Sequence, residues 1–237
     1  MKMDGTQETK AEFDEFAEDY DEILGRGLRL SGEGKEYFAE GRMRHLRRVL
    51  ASHGLGCGKA LDFGCGTGTA TPYFFEELGV ERLLGVDPSE RSLEQARARW
   101  GGEKVAFATT AGEGEEDFDL AFCNGVFHHI APQERDGALR WIWRRLRPGG
   151  CFAFWENNPW NPLTRLAMAR VPFDADAVLV WPREAKRLLE RNGFEVLATD
   201  FVFFFPRFAG SLRPIEPWLA WLPLGGQYLV LARKRTK

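Results

Sequence analysis

The sequence has little of what would mark an exported, metal-binding or nucleic-acid-binding protein. It holds four cysteines, Cys57, Cys65, Cys123 and Cys151. None forms a Cys-x-x-Cys pair, so neither a disulfide framework nor a zinc site is expected. Reduced thiols point to the cytoplasm. The first residues are acidic and lack an apolar stretch, which reads against a signal peptide. No run of about 18 apolar residues occurs, and stable membrane insertion is not expected. A net charge of -3 gives no basic footprint, so no nucleic-acid partner is expected. Charge is uneven only near the start, where residues 1–22 are acid-rich and residues 26–48 are arginine-rich. Two solvated helix faces that attract each other would explain that pattern, with a patch for an anionic substrate as the other option.

What is present is an alternation of short apolar runs with helical periodicity. Residues 10–24 carry Phe13, Phe16, Ala17 and Tyr20 at helical spacing, and residues 1–35 read as a helical lid. A second helix over about 36–53 presents Met43, Leu46, Val49 and Leu50 inward and arginines outward. From Lys59 onward, strands and helices alternate through "CFAFWE", which demands parallel strands with helical crossovers. After a helix ending at Gly193 come "EVLATDFVFFF" and, past a long linker, "GGQYLVLAR". The last strand, lacking a regular helix before it, is expected to run antiparallel. The fold expected over 36–237 is α/β: a doubly wound, Rossmann-like sheet with an insertion over 157–181.

The stretch "ALDFGCGTGTATPYF" sets glycines at alternate positions just past a buried strand. Such a loop lets a ligand approach the backbone closely. The dinucleotide fingerprint fails, because its third glycine falls on Thr69 or Thr71. A phosphate-binding Walker loop fails for want of a following Gly-Lys. A kinase reading of Asp62-Phe63-Gly64 lacks its partner motifs. Asp87 ends the second strand, where a carboxylate accepts from ribose hydroxyls.

Four stretches in order, "LDFGCGTG", "GVDPSERSLEQA", "FDLAFCNGVFHHI" and "WRRLRPGG", resemble the class I S-adenosylmethionine-dependent methyltransferases. The resemblance covers roughly residues 37–156 and implies a seven-stranded sheet with its last strand antiparallel. It implies that S-adenosyl-L-methionine is the cofactor. Asp62, Gly64, Cys65, Gly66, Thr67 and Gly68 would hold the methionine part, Asp87 the ribose, and Pro88 and Ser89 the adenine flank. An acid usual after the third strand is absent, so Ala111 and Gly112 would meet adenine through backbone. Tyr20 would close from the lid. Asn124 and Gly125 would line the methionine near the reacting methyl.

A transferable methyl needs an aligned nucleophile, and a base only when the acceptor is a weak acid. His128, His129 and Glu156 are the candidates for that base, and no metal ligand set accompanies them. Asn161-Pro162 reads as the cap and first residue of a short helix in the insertion. The segments "FVFFFP" and "PWLAWLPLG" read as edge packing, with an apolar acceptor or a transient membrane contact as the other options. The reading is a methyltransferase acting on a small molecule. A cofactor-binding protein without catalysis and a nicotinamide-dependent oxidoreductase remain as alternatives.

Overall fold

A computed structural model describes residues 31–109, 117–171 and 177–236. The elements are α1 (Lys35–Ser52), β1 (Lys59–Phe63), α2 (Thr71–Glu76), β2 (Arg82–Val86), α3 (Glu90–Trp100), β3 (Val105–Ala108) and β4 (Phe118–Asn124). There follow α4 (Arg135–Arg145), β5 (Leu146–Asn157), α5 (Pro162–Met168), α6 (Pro182–Arg191), β6 (Phe194–Val202), a 3-10 helix (Arg207–Ile215), α7 (Glu216–Leu219) and β7 (Gln227–Lys234). Tyr20, Ala111 and Gly112, and all of the lid before Ser31, lie outside the described residues.

One seven-stranded sheet runs β3-β2-β1-β4-β5-β7-β6. The β1–β2, β1–β4, β2–β3 and β4–β5 pairs are parallel, whereas β7 is antiparallel to both β5 and β6. That is the expected doubly wound topology. The order reverses between β1 and β4, which opens a crevice at their carboxyl ends.

Strand alternation splits the core into two layers. On β5, Phe152 and Phe154 pack with Phe127, Ile142 and Leu188 on one face. Ala153 and Trp155 face the other way, onto Met43, Leu46 and Phe74. The stripe of α1 is buried as its spacing demands. Arg42 departs from the outward pattern of its neighbours: it is buried and donates to Gln227 Oε1 at 3.0 Å.

Local chemistry sets the element ends. Ser89 caps α3 by accepting from Ser92 N–H, and Asn161 caps α5 by accepting from Leu163 and Thr164 N–H. β6 ends at Val202, short of the apolar run "FFF", because Phe203 takes φ 62° and turns the chain. The linker before β7 holds only the 3-10 helix and the short α7.

Candidate active site

The glycine loop rises from the end of β1 and is pinned to β2. Gly64 and Cys65 N–H both donate to Val86 O, at 2.8 and 3.1 Å. Asp87 clasps the loop from the side: one carboxylate oxygen accepts from Gly66 N–H at 2.9 Å, and the other from Ser89 N–H at 2.9 Å. Thus the acid expected to meet a ribose also shapes the loop beside it.

The three glycines are glycines for different reasons. All have positive φ, at 77°, 51° and 75° for Gly64, Gly66 and Gly68. A Cβ on Gly64 would lie 2.3 Å from Val126 Cγ2, so the loop after β4 packs directly on it. A Cβ on Gly68 would meet Trp100 at 2.9 Å. A Cβ on Gly66 would meet nothing within 4 Å, so its backbone faces open space. Thr67 is buried, and Cys65 and Pro88 are half-buried. Burial holds the Cys65 thiol well above its ordinary range, with the charges of Asp62 and Asp87 adding, so it is not a reactive thiolate.

Asp62 lies beneath the loop, buried, with its pKa pushed up to about 7. Desolvation is the main cause; the charge of Asp87 adds, and Arg42 opposes. A cation placed there would regain the carboxylate's charge. Asn124 ends β4 with its Oδ1 buried and without a hydrogen-bond partner, beside Gly125 at φ 65°. An open glycine backbone, a buried acid with a raised pKa and an unpaired amide oxygen together fit the amino-acid and ribose parts of S-adenosylmethionine.

Past Gly125 the crevice opens into a cavity of about 250 Å³. Its walls come from α5 (Leu163, Thr164, Ala167, Met168), from α1 (Tyr37, Phe38) and from the turn after β6 (Phe203–Pro206). Ser31, Glu33 and Lys35 border it as well. Tyr37, Phe38 and Phe203 form an aromatic cluster with ring centroids 4.9–6.0 Å apart. Arg213 stands over the Tyr37 ring at 4.5 Å and pairs with Glu33 at 2.9 Å.

His128 and His129 both border this cavity. Glu156, expected at the same mouth, is fully buried behind His128. Its Oε2 lies 2.6 Å from His128 Nδ1, and its Oε1 accepts from His128 N–H at 3.3 Å. The two imidazoles lie 4.1 Å apart between centroids, tilted by 51°. Asn158 does not reach the reaction space: its amide donates to Pro223 and Gly225 carbonyls and its oxygen accepts from Trp160 N–H. Among the described residues no group of three metal-ligating side chains occurs.

Sequence reasoning missed Arg42, the aromatic wall and Gly85. A Cβ on Gly85 would strike Phe107 at 2.6 Å and Cys65 Sγ at 2.9 Å, so this strand glycine makes room for the loop. The wall had a faint signal in Gly41, an unusual mid-helix glycine whose Cβ would lie 2.7 Å from Phe203.

Residues 61–152 match the family model described as a methyltransferase domain. Trans-aconitate 2-methyltransferase of Rhodopseudomonas palustris is 30% identical over 180 residues, covering 75% of this chain and 65% of that protein. The same-named protein of Rhizobium leguminosarum bv. trifolii is 34% identical over 133 residues, covering 55% of this chain and 51% of that one. The chain thus spans about half the length of several curated relatives it matches. Among solved structures, a Burkholderia thailandensis 1,6-didemethyltoxoflavin-N1-methyltransferase with bound S-adenosylhomocysteine aligns with TM-score 0.59 and 25% identity, over 93% of this chain and 88% of that one. A Thermotoga maritima protein described as a possible histamine N-methyltransferase shares the fold at TM-score 0.64 and 21% identity, over 96% and 100% of the two chains.

Proposed function

Because the chain belongs to the class I S-adenosylmethionine-dependent methyltransferases, we propose that it methylates a small-molecule acceptor held in the cavity beyond Gly125. When bound, S-adenosylmethionine supplies an electrophilic methyl on a sulfonium sulfur. The observation that carries the reading is adjacency: the loop after β4 packs on Gly64 through Val126, and Asn124 and Gly125 just before Val126 line the aromatic cavity. Asp62 and the glycine loop bind the methionine part, and Asp87 accepts from the ribose hydroxyls. Pro88, Ser89, Ala111 and Gly112 take the adenine side. Residues 1–35 serve as the lid, with Tyr20 closing inward; Ser31, Glu33 and Lys35 already stand at the cavity border.

His128 is the residue we assign as base, with Glu156 as its positioning partner and the His129 ring tilted against it. A carboxylate on Nδ1 fixes the ring's orientation and tautomer and stabilises the imidazolium after proton uptake. Such a base serves an acceptor that must lose a proton, most simply a hydroxyl. The relatives named for trans-aconitate make a carboxylate-bearing acceptor worth testing. The cavity's aromatic walls favour a compound with an apolar body. Arg213, whose Nη1 pairs with Glu33 while its buried Nη2 has no hydrogen-bond partner among the described residues, stands where an acidic group of that compound could be met.

No helix among the described residues is long and apolar enough to cross a membrane. Four cysteines without disulfides fit the proposed cytoplasmic setting. The absence of an overall basic charge supports a small molecule over nucleic acid as acceptor.

Calorimetry with S-adenosylhomocysteine is expected to give binding, and an acceptor panel including trans-aconitate is expected to give turnover. Absence of cofactor binding by the folded protein would overturn the reading. Glu156→Gln should lower kcat by about 10²-fold while leaving cofactor affinity in place; an unchanged kcat and pH profile would remove the base assignment.

A further inference from the structure

We propose that an apolar shelf beside the cavity mouth docks on the surface of an anionic phospholipid bilayer. Between β6 and β7, six large apolar side chains stand in solvent: Phe208, Leu212, Ile215, Trp218, Trp221 and Leu224. Phe208 is 91% exposed, Trp218 75% and Trp221 73%. Helix α5 adds Leu163 and Leu166. It is fixed to the same surface, because Asn161 donates to Leu224 O at 2.8 Å and Thr164 to Gly226 O at 2.9 Å. Single exposed leucines are ordinary; a group of this size gathered on joined elements marks an interaction surface.

Charge selects the occupant. The described segments 158–171 and 203–226, which carry the shelf, hold four arginines (Arg165, Arg170, Arg207 and Arg213, the last paired with Glu33) against one acid of their own, Glu216, in a chain of net charge -3. Arg165, Arg170 and Arg207 are exposed. Glu216 is turned to its own backbone, accepting from Phe204 and Phe205 N–H. An apolar, tryptophan-bearing shelf rimmed by cations matches the boundary between headgroups and acyl chains of an anionic leaflet. A second copy seated across a two-fold axis would instead bring a patch of the same charge against it. The shelf is also continuous with the cavity, since Leu163 belongs to both and the cavity wall at Phe205–Pro206 leads into Arg207. The docking itself does not depend on the proposed chemistry.

The test is sedimentation of the full-length protein with vesicles of phosphatidylcholine, with and without a third of phosphatidylglycerol. Binding is expected with the anionic vesicles, and much of it should be lost near 1 M salt, where the Debye length is about 3 Å. The double variant Trp218→Ala/Trp221→Ala should bind about tenfold more weakly. Replacing Arg165 and Arg207 by glutamine should weaken binding roughly fivefold per arginine. These side chains are exposed, so thermal unfolding should match the parent and certify a folded sample. Folded protein left in the supernatant with both vesicle types would overturn the proposal, as would shelf variants that bind like the parent. A dimer in sedimentation velocity that the tryptophan double variant abolishes would assign the shelf to a second copy instead.

Discussion

The two ends of the site are built by opposite means. The cofactor end is made of backbone: three positive-φ glycines, two amides on Val86 O and a carboxylate clasp from Asp87. The acceptor end is made of side chains brought from distant segments, with Tyr37 and Phe38 against Phe203 and α5 against the chain before β7. Backbone sites tolerate little change, because an added carbon meets a neighbour at Gly64 and Gly68 and, at Gly66, fills the open space the backbone faces. Side-chain sites can be rebuilt one residue at a time, which suits an end that must differ between acceptors.

The contrast can be broken most forcefully at Gly64. Gly64→Ala sets a methyl against Val126 at a strained φ and should cost about 3 kcal/mol of stability in guanidinium melts. Gly66→Ala meets only the φ penalty, about 1–2 kcal/mol, yet should impair cofactor binding out of proportion. Equal losses of stability would mean that Val126 yields.

Asp87→Ala removes both a ribose acceptor and the clasp, and calorimetry should show S-adenosylhomocysteine binding weakened by about 1–3 kcal/mol. Unchanged affinity would show that the ribose is held elsewhere.

Asp62 predicts a pH effect. Its folded pKa of about 7 lies above the unfolded value, so the folded state holds a proton that the unfolded chain has lost. Its contribution to the unliganded protein's stability is therefore largest below the ordinary carboxylate range and declines as pH rises toward about 7. Cofactor binding runs the other way: the cationic amino group needs Asp62 ionised. Affinity should fall as pH drops below about 7, at most about tenfold per pH unit, with proton release visible in buffers of different ionisation enthalpy. A flat profile would put the ammonium elsewhere.

The smallest effect probes the other end. Asn161→Ala removes the α5 cap and should cost about 1 kcal/mol of stability while leaving cofactor affinity untouched. A matching loss of affinity would show that the two ends do not act separately.

The same division explains what could be read from the chain. Gly64–Gly68, Asp87 and the Asn161 cap were legible because each answers a local requirement on a few consecutive residues. The parallel strands followed from alternation, and the reversed β7 from the missing helix before it. Glu156 was legible as a nearby acid but not as the partner of His128, a pairing across 28 residues that depends on β4 and β5 lying side by side. Arg42 looked like one more exposed arginine of its helix, because nothing local says that Gln227 lies beneath it. Phe203 read as strand until its φ turned it into the cavity wall.

The stitches between α5 and the chain before β7 carry one more consequence. Asn158, Asn161 and Thr164 bind carbonyls at positions 223–226, across more than sixty residues of sequence. Neither segment can lift without releasing the other. Their amide protons are therefore expected to exchange with solvent as one cooperative unit, distinct in free energy from the central strands. Passage in and out of the cavity would then follow the clock of that unit, a single latch fastened at four points.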